Sequence, residues 1–122
     1  MITTISIWDV FLLLFFHWVG DFVMQSDKDA KGKSTSWVHL LSHTLSYTIC
    51  FLPIVLAHGD VRWFLFMPIT FVAHTATDYY TSRVNSQLYN EGKIHDYFVS
   101  IGFDQLLHFA QLIITFQILK QL

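Results

Sequence analysis

The sequence predicts an all-α fold, a four-helix transmembrane bundle, on three observations. Of its 122 residues, 53% are hydrophobic and only 13% charged, about half the charged share of an average soluble domain. Ser34 to Gly59 runs 26 residues without Asp, Glu, Lys or Arg, more than the roughly 20 that carry a helix across a bilayer's hydrocarbon core. Three further apolar stretches are broken only by isolated polar residues. The spans are therefore about 5–25, 36–57, 61–82 and 97–119, in one polytopic domain over 1–122.

The first span has no Lys or Arg ahead of it and no small-residue cleavage pattern behind it, so it reads as a retained helix and not a signal peptide. The connections are Ser26 to Ser36, the tight His58-Gly59-Asp60, and Ser82 to His95. Lys28, Lys31, Lys33, Arg83 and Lys93, five of the seven basic residues, fall in the first and third of these. The positive-inside bias places those two connections in the cytoplasm and both termini outside, an N-out, C-out topology. Short connections make successive helices antiparallel neighbours, which gives an up-and-down order. Trp8, Trp37, Trp63 and Tyr97 lie near span ends, as interfacial anchors do. Pro53 and Pro68 each remove a backbone donor and are expected to bend their helices, and His95-Asp96 reads as a helix start.

Composition also excludes function classes. Seven Lys/Arg against nine Asp/Glu lack the basic excess of a nucleic-acid binder. A lone cysteine, Cys50, rules out a disulfide scaffold and a thiolate zinc ribbon. The expected partner is membrane lipid, with a homo-oligomer or another membrane protein as further candidates.

Each span carries a polar pair at i, i+4: His17 and Asp21, His39 and His43, His74 and Asp78, Asp104 and His108. That spacing stacks two side chains on one face of a helix. Ionisable groups within a bilayer cost about 2.5–3.5 kcal/mol or more at a helix centre and face the bundle interior with partners, so all four stripes are expected to point inward. Counting from the cytoplasmic ends sorts them into a deeper layer, His17, His43, His74 and His108, and a shallower one, Asp21, His39, Asp78 and Asp104. The order HxxxD, HxxxH, then HxxxD, DxxxH suggests a duplicated hairpin.

Three carboxylates in one low-dielectric interior repel one another unless cations neutralise them. Two divalent transition-metal ions and one bridging hydroxide would balance the charge. Imidazole and carboxylate ligands without thiolate suit zinc or manganese, with iron ranked below them because its membrane hydroxylases use richer His clusters. The eight residues are thus the expected metal ligands, with Gln25 and Gln105 beside them to orient a ligand or a water. Lys28, Lys33 and Arg83 are candidate contacts for phosphate or lipid headgroups. The same stripes also suit a proton relay or a hydrogen-bonded polar core without metal.

His17-x-x-x-Asp21-Phe22-x-x-Gln25 before a basic loop, His39 and His43, His74-x-x-x-Asp78-Tyr79, and Asp104-Gln105-x-x-His108 occur in order on the four spans. In this the chain resembles the small bacterial and phage membrane protein family of domain of unknown function 3307, over nearly its whole length. The third motif in that family tends to be followed closely by Lys, whereas here Arg83 follows five residues later. The resemblance implies a multi-pass protein of the bacterial cytoplasmic (inner) membrane and names no activity. The pattern of His and Asp on helices is also similar, more loosely, to that of membrane-bound metal-dependent hydrolases. The expected function is an intramembrane metal-dependent hydrolase acting on a phosphate ester or other polar group at the inner leaflet. The alternative is a non-enzymatic protein: a proton or ion conductor, or a metal-stapled scaffold.

Overall fold

Ser6 starts the first helix. Its Oγ accepts from Asp9 N–H while the Asp9 carboxylate accepts from Ser6 N–H, both at 3.1 Å, so the cap satisfies two donors that would otherwise be orphaned. The computed structural model describes residues 4–122; the first three positions of the domain expected over 1–122 lie outside the described residues. From the cap, α1 runs over Ile7–Trp18 and widens into one π turn, Val19–Val23, closed by Met24 N–H on Val19 O at 2.8 Å. An i to i+5 turn shifts the register of the side chains that follow it, and here Asp21 is buried while Phe22 and Val23 are exposed.

Ser26 caps α2, Asp27–Gly32, a short helix inside the first basic connection. Next come α3, Trp37–Ile49, and α4, Leu52–His58, so the stretch expected as one helix over 36–57 is broken. Pro53 explains the break: it has no N–H for the Ile49 carbonyl, and its ring collides with that group. Gly59, at φ +65°, ends α4 in the left-handed conformation. His58 Nδ1 bonds Ile54 O at 2.8 Å and stacks on Trp63. Trp63 is therefore buried in the apolar core, not set at an interface as expected.

A 3-10 turn, Val61–Leu65, leads into α5, Phe66–Asn90. Pro68 falls in the first turn of α5, where its missing N–H forfeits no intrahelical bond. Since no Pro or Gly interrupts residues 82–90, α5 continues about two turns beyond its expected end. Gly92, at φ +73°, stops it, and α6 runs over Ile94–Gln121 with His95 and Asp96 in its first turn.

Neighbours in sequence are neighbours in space: the π turn packs on α3, α3 on α5, α5 on α6, and α1 closes the ring against α6. The cross-links run antiparallel. Ser34 bonds Ser86 and Thr44 bonds Thr75; Asn85 bonds Ser100 and Thr70 bonds Gln111. Lys120 pairs with Asp9 at 3.0 Å, tying the end of α6 to the start of α1. One end of the interior is filled by Leu13, Phe51, Phe66, Leu112, Phe116 and their neighbours, and the other by the His and Asp residues. Phe11, Phe15, Val38, Leu45, Val72, Phe103 and Ile114 are exposed on the outer faces. Among the described residues, Trp37–His58 and Ile94–Gln121 are long and apolar enough to cross a membrane. The helical stretch Ile7–Val23 is shorter, and α5 is interrupted by His74, Asp78 and Arg83.

Gly20 permits a close approach of the π turn to the α3 backbone: a Cβ there would lie 2.9 Å from Tyr47 Cδ2 and 3.1 Å from Tyr47 Cα. Gly20→Ala must push the π turn off α3. The expected cost is about 1–3 kcal/mol, seen as a lower Tm of the detergent-purified protein; an unchanged Tm would contradict this packing.

Candidate metal centre

The π turn brings Asp21, α3 brings His43, and α5 brings His74 and Asp78, all buried, to one point. His43 Nε2 and His74 Nε2 face each other at 3.3 Å. Asp21 Oδ1 lies 3.0 Å from the first and 3.6 Å from the second; Asp78 Oδ2 lies 3.2 Å and 3.1 Å from them. Metal–ligand bonds of about 2.0–2.1 Å give a tetrahedron with edges of about 3.3–3.4 Å, close to these five separations. Two facing imidazole nitrogens can share only one proton. Asp78 Oδ2, although close to both, makes no hydrogen bond with either. The four atoms all lie within 4.8 Å of one another, and the group can hold a metal ion.

Beside it, Asp21 converges with Asp104 and His108 of α6 in a second buried group. His108 Nε2 is 3.2 Å from Asp104 Oδ1 and 3.0 Å from Asp78 Oδ1. Asp21 thus belongs to both groups, and Asp78 offers Oδ2 to the first and Oδ1 toward His108. Carboxylates placed this way are suited to bridging two cations. His74 and His108 stack at 4.1 Å, and Tyr47 stacks on His74 at 3.7 Å. Among the described residues the Nδ1 atoms of His43 and His74 have no hydrogen-bond partner, so packing, and not a second bond, sets those two rings.

His17 lies outside both groups and supports them instead. Its Nε2–H donates to Gln105 Oε1 at 2.6 Å, which leaves Nδ1 to accept from the Tyr47 hydroxyl at 2.7 Å. Gln105 Nε2 then donates to Asp21 Oδ2 at 3.2 Å and Asp104 Oδ2 at 3.1 Å. Thr81 Oγ1 holds the other Asp104 oxygen at 2.6 Å. Tyr47 was not singled out from the sequence, although it continues the His39, His43 stripe by one more i+4 step.

His39, expected on the inward carboxylate layer, is half-exposed and turned to α2, where its Nδ1 bonds Asp29 Oδ1 at 3.1 Å. Burial works against the Asp29 carboxylate, yet hydrogen bonds from His39 and from Ser42 hold its pKa below the usual value. The signal for this pairing was Ser26-x-x-Asp29, a helix start inside a stretch taken as loop. Lys33 occupies the inward place instead, with Nζ 3.5 Å from Asp78 Oδ2. Lys28 is exposed on α2, and Arg83 folds back onto Tyr79, bonding its carbonyl at 2.6 Å and covering its ring.

A cavity of about 660 Å³ lies over the second group, with Asp21, Asp104, Gln105 and Gln25 in its wall. Gln25 Oε1 is buried there without a partner. Lys33 also lines the cavity, whereas Lys28 and Arg83 do not.

The hydrogen-bond direction argued for His17 makes Tyr47 the donor that starts the chain. Tyr47→Phe keeps the ring on His74 and strands His17 Nδ1. The expected loss is about 1–3 kcal/mol of stability, measured by thermal unfolding in detergent; no loss would mean that the hydroxyl does not carry the chain.

No match to the chain is found among curated proteins or among solved structures. Residues 10–122 match the profile of a family described as protein of unknown function, DUF3307, and with the match covering nearly the whole chain, the protein belongs to that family.

Proposed function

We propose that the protein is a multi-pass protein of the bacterial inner membrane with a dinuclear zinc or manganese centre, and that it hydrolyses a phosphate ester at the cytoplasmic leaflet. One observation carries the reading. The four-ligand group Asp21, His43, His74, Asp78 is complete, while the three-ligand group Asp21, Asp104, His108 borders the cavity. A closed tetrahedral site is structural, and one with three protein ligands keeps a position for water or substrate.

Support for the membrane comes from the inversion of polarity: His, Asp and Thr side chains are buried while Phe, Leu, Ile and Val cover the outer faces, the arrangement that lipid favours. Lys28, Lys31, Lys33, Arg83 and Lys93 cluster at the cavity end, which supports placing that end in the cytoplasm and both termini outside. The apolar cluster around Phe51, Phe66 and Phe116 fills the opposite end. That blind end favours a reaction chamber over a conducting path.

Asp21, Asp104 and His108 would hold a divalent ion, which when bound would supply an acidified water and stabilise negative charge on a phosphoryl oxygen. The protein holds the reacting groups still: Gln105 and Thr81 fix the Asp104 carboxylate, and Gln105 with His17 and Tyr47 fixes Asp21. Water oxygen bonds to phosphorus and gives up one proton to solvent in the open cavity, the ester P–O bond breaks, and the leaving oxygen takes a proton from the same solvent.

Metal analysis of purified variants, run beside phosphate release from a phosphomonoester, tests this. Wild type should carry about two ions per chain. Asp104→Asn should drop toward one ion and lose hydrolysis by about a hundredfold or more. Asp78→Asn, which touches both groups, should lose most metal, whereas His39→Asn should keep it. Wild type with two ions and no hydrolysis would leave the centre a staple; wild type without metal would overturn the centre itself.

A further inference from the structure

Part of the cavity wall has no role in holding the ligand groups. Lys31 and Lys33 from the end of α2, Ser34, and Ser82, Asn85 and Ser86 of α5 line it together. On α5 the positions Asp78, Ser82 and Ser86 follow one another at i, i+4, a stripe that leads from the ligands to the mouth. Ser82 is only 5% exposed, and its Oγ has no hydrogen-bond partner. Asn85 Oδ1 accepts from Ser100 Oγ at 2.5 Å, which leaves its amide N–H2 to donate elsewhere. Among the described residues, Asp21 and Asp104, already committed to the ligand groups, are the carboxylates that line the cavity. The wall therefore offers two ammonium groups, hydroxyls and an amide, a donor set that suits an anion with several oxygens.

Charge points the same way. With two divalent ions and a bridging hydroxide, Asp21, Asp78 and Asp104 leave the centre neutral. Lys33, 3.5 Å from Asp78 Oδ2, then has no counter-charge left, because that carboxylate is shared with a cation. An ammonium so placed, partly exposed on the cavity wall, is available to an anion that enters the cavity.

Resting on the dinuclear reading above, we propose that Lys33, with Lys31, Ser82 and Asn85, forms the binding site for the dianionic phosphate group of a phosphomonoester. Lys33 lies beside Asp78, whose charge the cations take up, and pairs with the phosphate when the cavity holds one. Phe22, Ile101 and Tyr97, also in the wall, flank the path of the group esterified to it. The phosphate can arrive on a lipid headgroup or on a soluble ester, and the chemistry that binds it is the same.

Calorimetric titration of inorganic phosphate into zinc-loaded protein in detergent, with zinc measured on the same samples, tests the site. Wild type should bind phosphate; Lys33→Met should weaken binding about tenfold or more with zinc retained, Lys33→Arg should keep most of it, and Ser82→Ala should weaken it severalfold. Lys28→Ala, outside the cavity, should bind as wild type. Phosphate binding that is absent, or equal in Lys33→Met and Ser82→Ala, overturns the site. Wild type that takes up no zinc overturns the metal reading, and phosphate binding lost in Lys33→Met would still uphold the anion site on its own. Competition by phosphatidic acid in phosphatidylcholine nanodiscs, and none by phosphatidylcholine alone, assigns the phosphate to a lipid; no competition by either assigns it to a soluble ester.

Discussion

The structure depends on how three buried carboxylates are neutralised. Asp21, Asp78 and Asp104 are each less than a tenth exposed, and they share one interior. In a low dielectric such a cluster is unfavourable unless positive charge lies among the oxygens. The chain supplies one ammonium, Lys33, and four imidazoles, His17, His43, His74 and His108, each within 3.6 Å of a carboxylate oxygen of the two groups. Helix order, the closed ring and the burial of the His rings all follow from bringing these groups together.

Precision comes from elements that do not themselves ligate. The π turn at Val19–Val23 rotates Asp21 inward, and Gly20 lets that turn lie against Tyr47. Tyr47 then serves twice, as a stacking surface for His74 and as donor to His17. Through Gln105 the same chain reaches Asp21 and Asp104 together. Supporting groups of this kind orient ligands and tune what they bind. The apolar half, with Phe51, Phe66 and Phe116, closes the far end, so the two candidate ligand groups are confined to the half that carries the cavity.

Much of this was legible because the polar residues sit where period and burial leave few choices. The i, i+4 spacing of His74 and Asp78, and of Asp104 and His108, puts each pair on one face, and the structure brings all four inward. The same rule misplaced His39, since a helical face only turns inward if nothing nearer captures it, and Asp29 on α2 does. It also made a ligand of His17, which the π turn and Gln105 convert into a supporting residue. A π turn adds a residue to the helical register and leaves no compositional mark, yet His17 and Asp21 are both buried as the spacing predicts, with His17 Nε2 3.6 Å from Asp21 Oδ2. Pro53 was visible as a breaker, but a span that long in apolar residues hides a change of helix at Cys50.

The central claim is that two cations stand among these carboxylates. X-ray absorption at the zinc edge of the loaded, detergent-purified protein tests it most directly. The account predicts a first shell of nitrogen and oxygen only, at about 2.0–2.1 Å, and a second metal at about 3.5–4 Å. A spectrum with no metal neighbour, or zinc that washes away while the fold stays intact, would contradict it.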